Sequence, residues 1–117
     1  MKKLSFLFIL FLLCSCSKSN NINYMEAKEK IINNNAVLVD VRDNSEFLNN
    51  HIDNAYNLSL SLINSESLSE IIDSENRYII VYCSSDDDNR CENAVEKITG
   101  CGYKNVFNLG GINNWKE

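Results

Sequence analysis

Proline is absent from this chain of 117 residues, and histidine and tryptophan occur once each. Asparagine is very frequent, so the missing proline reads as a bias of composition and not as a structural device. No internal repeat and no tail of like charge occurs, which excludes a solenoid array and a basic nucleic-acid-binding arm. No apolar run is long enough to cross a bilayer. The longest, Leu4 to Leu13 with Ser5 inside it, has ten residues, against the ~20 that a helix needs to span ~30 Å of hydrocarbon. Positive charge is scarce too: beyond residue 15 the chain carries nine Lys and Arg against sixteen Asp and Glu. Such a surface does not attract nucleic acid or anionic headgroups, so no nucleic-acid partner is expected. What is present, 44% hydrophobic residues in a short chain, suits one small globular domain.

Lys2 and Lys3 ahead of the apolar run give segment 1–15 the form of an export signal. Its end, Leu13-Cys14-Ser15-Cys16, resembles the lipobox of bacterial lipoproteins, where an aliphatic residue and two small ones precede the cysteine that is lipidated. Cys16 fits because Ser15 is small, whereas Cys14 would put Leu13 at the cleavage position. The resemblance implies removal of residues 1–15, a lipidated N-terminus and solvated linker over 16–21, and an extracytoplasmic domain over 22–117. Multiple acyl chains would make that tether stable. An ordinary signal peptide or a short uncleaved anchor is the alternative.

Residues 22–117 alternate between two periods. Tyr24, Ala27, Ile31 and Ile32 recur at helical spacing, and Ala36 to Val39 is a strand-like run closed by Asp40. A short helix at Ser45 to Asn50, a short strand at Ala55 to Leu58 and a helix carrying Leu68, Ile71 and Ile72 follow. Tyr78 to Tyr82 is a further apolar strand. Cys91, Ala94, Val95, Ile98 and Cys101 then share one face of a helix that Gly102 breaks, and Val106-Phe107 opens a last strand reaching Gly110-Gly111. Strands alternating with helices predict an α/β fold: a mainly parallel sheet of about five strands, helices on both faces, and functional loops at the strand C-termini.

Cys83 falls at that edge. It ends the apolar strand and precedes a polar stretch, Ser84 to Asn89, that leads into a helix from Arg90 to Thr99. Backbone N–H groups and the positive end of the helix would then face its sulfur, the setting of a thiolate nucleophile.

Val39-Asp40-Val41-Arg42, Glu46-Phe47, His51-Ile52, Asn54-Ala55 and Asn57-Leu58 are similar to the rhodanese-like signature around the second strand of that family. Tyr82-Cys83, Arg90, Ala94, Gly102-Tyr103, Asn105-Val106 and Asn108-Leu109-Gly110-Gly111 with Trp115 are similar to its active-site and C-terminal parts. The resemblance covers about residues 22–117 and implies a three-layer rhodanese-like fold with sulfurtransferase activity. In such enzymes a catalytic cysteine, here Cys83, takes the outer sulfur of a donor as a persulfide and yields it to an acceptor such as cyanide or a thiol. That chemistry needs a thiolate and amides that solvate the sulfur, so Ser84, Ser85, Asp86, Asp87, Asp88, Asn89 and Arg90 are the expected substrate-binding loop. Asp40 and Arg42 are expected to support the wall of the site, with Glu46 as a partner for Arg42. His51 is expected to be structural, and Trp115 with Ile112 to close the core under the last helix. No cofactor and no metal is implied. The expected partners of this monomer are a sulfur donor, a thiol acceptor, and the membrane through the N-terminal lipid.

The loop departs from the family pattern. Six residues, none of them glycine, separate Cys83 from Arg90, two more than the usual spacing. In the superfamily a loop one residue longer than the sulfurtransferase type goes with phosphatases and arsenate reductases; a still longer one leaves open a bulkier substrate or a cradle that does not form. Asp86, Asp87 and Asp88 would raise a nearby thiol pKa and repel thiosulfate or phosphate. At an effective dielectric of ~20 each like charge at ~7 Å costs on the order of 2 kcal/mol before screening, and Arg90 offsets only part of it. This disfavours phosphatase activity and thiosulfate, and favours a neutral or protein-borne persulfide donor. The carboxylates otherwise read as a solvated loop tip. Cys91 reads either as a small buried residue on the helix face, like Cys101, or as a redox partner of Cys83, which an oxidising compartment favours. Two other functions therefore stand beside sulfur transfer: a catalytically weak interaction or thiol-sensing module, and a redox module using Cys83 and Cys91.

Overall fold

Asn23 opens the first helix. In a computed structural model that describes residues 20–117, its side chain accepts from the Glu26 amide at 2.9 Å while the Glu26 carboxylate accepts from the Asn23 amide at 2.9 Å. This reciprocal cap satisfies two donors that a helix start leaves unpaired. The helix, α1 (Tyr24–Asn34), ends on Asn35 in the left-handed conformation at φ 56°, a position that asparagine tolerates. The export segment 1–15, Cys16 and the linker as far as residue 19 lie outside the described residues.

The elements that follow are β1 (Val37–Asp40), α2 (Asn44–Asn49), β2 (Tyr56–Asn57), a 3-10 turn (Leu60–Leu62), α3 (Ser65–Ile71), β3 (Tyr78–Cys83), α4 (Arg90–Gly100), β4 (Asn105–Gly111) and a 3-10 turn (Ile112–Asn114). The sheet runs β2-β1-β3-β4 with every pair parallel. Among the described residues it has four strands, not about five; a single parallel bridge from Asn21 to Asn108 is all that lies beyond β4. No helix among the described residues is long and apolar enough to cross a membrane.

Strand periodicity sorts the core into two layers. Val37, Val39, Ile79, Val81 and Cys83 point to the face covered by α3 and α4, where they meet Leu68, Cys91, Ala94 and Ile98. Leu38, Ile80 and Tyr82 point the other way, against Ala27 of α1 and Leu109. Trp115 and Ile112 pack on this second layer. Trp115 meets Tyr24 edge-on at 5.0 Å, so it closes the α1 face and not the α4 side. Both faces of β3 are covered, which is why Tyr78–Cys83 is one unbroken apolar run.

Candidate active site

The same two periods bring two sulfurs together. Cys83 is the third α4-facing residue of β3, and Cys91 lies on the inner face of α4 with Ala94 and Ile98. The loop between them folds back until their Cα atoms are 5.7 Å apart, and the two residues form a disulfide. That Cα spacing is within the range a disulfide requires. Cys91 is therefore buried on the helix face and is also the partner of Cys83. Cys101, at the far end of α4, is a free, half-buried thiol.

The polar surroundings of the sulfurs are carbonyl oxygens. Those of Ser85 and Asp88 lie 3.7 Å from Cys83 Sγ, and that of Gly110 lies 3.6 Å from both sulfurs. Gly110 reaches this place through a bulge: β3 and β4 slip register after Val81, so that Tyr82 pairs with Gly110, at φ +85°. Both cysteines line a recess of about 200 Å³ together with Ser85, Asp87, Asn89 and Asn108. A larger groove of about 760 Å³ lies elsewhere, between α1 and the segment carrying His51, and no cysteine lines it.

The sulfur contacts of this disulfide state are with carbonyls and not with the expected loop amides, and a carboxylate of the loop takes two of those amides. Asp88 accepts from the amides of Ser84 and Arg90, both at 3.0 Å, and from the Arg90 guanidinium at 2.9 to 3.1 Å. Arg90 reaches on to Glu46 at 2.9 Å and to Ser84 Oγ at 3.0 Å, and Ser84 Oγ donates to Glu46 at 2.9 Å. Glu46 is thus the partner of Arg90, not of Arg42. Asp86 is held separately, accepting from the Gly111 amide at 3.1 Å and the Asn114 side chain at 2.8 Å. Asp87 is exposed and alone of the acidic run makes no hydrogen bond among the described residues, so the three carboxylates diverge and do not form one solvated tip.

The clamp leaves an electrostatic signature. Hydrogen bonds from Arg90 hold the Glu46 carboxyl down at about 2. Burial works to raise Asp88, but the Arg90 guanidinium and the two amides outweigh it and bring it also to about 2. Both folded-state values lie below the unfolded ones, so the stabilisation is present above pH ~5 and is lost as pH falls from ~4.5 toward ~2. The groups are partly exposed and share one guanidinium, so the loss should be on the order of 2 kcal/mol. Urea unfolding of the oxidised protein between pH 6 and pH ~2.5 should show it, and Glu46→Gln should flatten the profile.

Asp40 and Arg42, at the end of β1, form a buried pair that makes no contact with the sulfurs. Arg42 donates to Asp40 at 2.7 to 3.2 Å and to the Asn50 carbonyl at 2.7 Å, and its backbone amide donates to Asp40 Oδ1 at 2.9 Å. The Arg42 carbonyl in turn accepts from Asn57 and Ser59. These bonds fix the loop after β1, which leads into α2, the helix that carries Glu46. His51 is exposed, stacked on Phe47 at 3.7 Å with Nδ1 2.8 Å from the Phe47 carbonyl, a local bracket outside the site.

Gly111 is needed for close approach. A Cβ placed there would sit 2.6 Å from Ser85 Cα, which is backbone and cannot swing aside. Gly111→Ala should push the loop outward, cost about 1–2 kcal/mol, and raise the rate at which dithiothreitol reduces the Cys83–Cys91 bond. Residue spacing did not single out Asp88 as an internal acceptor or Gly110 as the residue facing both sulfurs; the Gly110-Gly111 pair was the available hint, since paired glycines often mark backbone approaching backbone.

The pattern of the rhodanese-like domain family matches residues 24–117. An uncharacterized Synechocystis protein, slr1261, is 37% identical over 82 residues, covering 69% of this chain and 43% of its own length. The chain thus spans less than half of that relative. Thiosulfate sulfurtransferase GlpE of Coxiella burnetii is 31% identical over 96 residues, 81% of this chain and 85% of that protein. The solution structure of the rhodanese-like domain of the Anabaena protein Alr3790 superposes with a TM-score of 0.70 at 22% identity, covering 85% of this chain and 74% of that one, a likeness of fold.

Proposed function

The chain belongs to the rhodanese-like domain family, and we propose that it moves sulfane sulfur through a persulfide on Cys83. The observation that carries this reading is the place of Cys83: the C-terminal end of the inner strand β3, where its buried side chain borders a recess of about 200 Å³. Strand ends of a parallel sheet are where loops converge on a substrate. In the dithiol state the Cys83 thiolate attacks the outer sulfur of a donor, the donor's leaving group departs, and the persulfide passes its outer sulfur to an acceptor thiol.

The charge around the recess selects the donor. Asp86, Asp87, Asp88 and Glu92 line it, while Arg90, the cation nearest the loop, is engaged by Asp88 and Glu46. A dianion such as thiosulfate is repelled, and a hydropersulfide, small or protein-borne, is the preferred donor. Solvating a thiolate also requires the amides of Ser84 and Arg90 to leave Asp88, so the reduced loop differs from the oxidised one. A second reading, a redox module that exchanges disulfides without carrying sulfur, is favoured by the Cys83–Cys91 bond itself.

The placement we propose is extracytoplasmic, with residues 1–15 removed and lipid on Cys16. The lysines and apolar run of the first thirteen residues and the Leu13-Cys14-Ser15-Cys16 sequence support it, and an oxidising compartment agrees with a disulfide.

Trypsin separates the two cysteines, since cleavage at Arg77, Arg90 and Lys97 leaves Cys83 in Tyr78–Arg90 and Cys91 in Cys91–Lys97. After the reduced chain meets cysteine hydropersulfide and excess donor is removed, persulfide formation adds about 32 Da to the first peptide at some stage of the reaction. Blocking Cys91 by substitution should make that species accumulate. Disulfide formation with no sulfur gain in any variant would leave the redox module as the function.

A further inference from the structure

We propose that Cys91 resolves the Cys83 persulfide, expelling its outer sulfur as hydrosulfide and leaving the disulfide present in the structure. This rests on the persulfide reading above and adds to it a reductive activity: sulfane sulfur enters and hydrosulfide leaves.

The geometry supplies the nucleophile and the electrophile. Cys91 Sγ is bonded to Cys83 Sγ, so in the dithiol form it is within reach of the inner sulfur of a persulfide built there. Among the described residues no other cysteine competes, because Cys101 lies ten residues along α4 from Cys91, about 15 Å at the helical rise. Cys91 also occupies the first turn of the eleven-residue α4, where the helix dipole favours the thiolate.

The surroundings favour collapse over storage. Three carbonyl oxygens within 3.7 Å of Cys83 Sγ suit the neutral disulfide that the step leaves. Asp87 and Glu92 beside the recess repel an outgoing anion.

The step balances without an oxidant. The Cys91 thiolate attacks Cys83 Sγ, the Sγ–Sγ bond forms, and the bond from Cys83 Sγ to the outer sulfur breaks. The outer sulfur leaves with that electron pair and its proton as HS⁻, while the Cys91 proton has gone to water. Two thiols are oxidised to a disulfide, and the sulfane sulfur is reduced. A dithiol, small or on a partner protein, then returns both cysteines to thiols by exchange and closes the cycle.

The test uses the full chain in detergent, reduced, desalted under argon and mixed with one equivalent of cysteine hydropersulfide. In wild type we expect close to one equivalent of hydrosulfide, and Tyr78–Arg90 linked to Cys91–Lys97 after digestion. In Cys91→Ser, and in Cys91→Ala as a second variant that keeps the buried position apolar, Tyr78–Arg90 should hold about 32 Da of extra mass and hydrosulfide release should fall at least ~100-fold. Wild type that keeps the extra sulfur as long as the variants do, or variants that release hydrosulfide at the wild-type rate, would overturn the inference and leave the sulfurtransferase reading standing. Failure of the variants to gain sulfur, or a cysteine adduct in its place, would overturn both.

Discussion

Cys83→Ser is expected to abolish sulfur loading and transfer, with turnover at least ~10³-fold below reduced wild type, which corresponds to about 4 kcal/mol of transition-state stabilisation. A serine hydroxyl is un-ionised near neutral pH and forms no persulfide. Cys101 lies at the far end of α4 and cannot take over, and any sulfur gained by Cys91 would appear on Cys91–Lys97, apart from Tyr78–Arg90. The substitution also removes the disulfide. Closing a loop of separation 8 contributes about 2.5 kcal/mol in a chain-entropy account, so the oxidised wild type should be more stable than the variant by roughly that amount. Reduced wild type is therefore the proper reference: against it the variant should match in urea midpoint and differ only in sulfur chemistry. Residual sulfur gain on Tyr78–Arg90 in the variant would contradict the assignment.

Asp40→Asn should produce the largest loss of stability, about 3–4 kcal/mol. Asp40 is fully buried and Arg42 is 5% exposed, and they are paired at 2.7 Å. The aspartate accepts three bonds from the Arg42 side chain and one from its backbone amide. An amide of the same shape removes the charge and turns an acceptor into a donor, leaving a guanidinium buried without a counter-charge. For a domain whose total stability is on the order of 5–15 kcal/mol this is a large share. The melting temperature should fall by roughly 15–25 °C. Since this pair braces the loop that leads into α2 and Glu46, the variant should also release Arg90 and lower sulfur transfer at temperatures where it is still folded. A change below ~1 kcal/mol in urea unfolding would mean that the pair is solvated, against its burial.

Sheet and helices were legible because each layer announces itself in spacing. Tyr78–Cys83 is buried on both faces and reads as an apolar run, while Cys91, Ala94 and Ile98 recur at the helical period. Cys83 was legible as the end of that run. What spacing does not carry is which polar groups meet across the fold. Glu46 and Arg90 are 44 residues apart, whereas Arg42 lies four residues from Glu46, so local sequence suggested the wrong cation. The number of strands differed for a similar reason: Asn20 and Asn21 carry no strand pattern, and their bridge to β4 depends on β4 offering a free edge. The acidic run misled most. Three adjacent aspartates read as one negative patch and they do line one recess, yet spacing did not show that Asp86 and Asp88 also accept from different backbone amides, Asp86 from Gly111 and Asp88 from Ser84 and Arg90. Short carboxylate side chains satisfy local backbone donors whenever the turn presents them, and charge counting does not see this.

Reduction is expected to free the Ser84 and Arg90 amides from Asp88 to hold a Cys83 thiolate. The most direct test is the pH dependence of iodoacetamide alkylation of Cys83 in the reduced Cys91→Ser protein, followed on the Tyr78–Arg90 peptide. The expected apparent pKa is ~7 or lower, below the ordinary thiol value of ~8.5. A value above ~8.5, with slow alkylation throughout, would mean that carbonyls and carboxylates still govern the sulfur in the reduced protein, and would contradict a persulfide enzyme at this site.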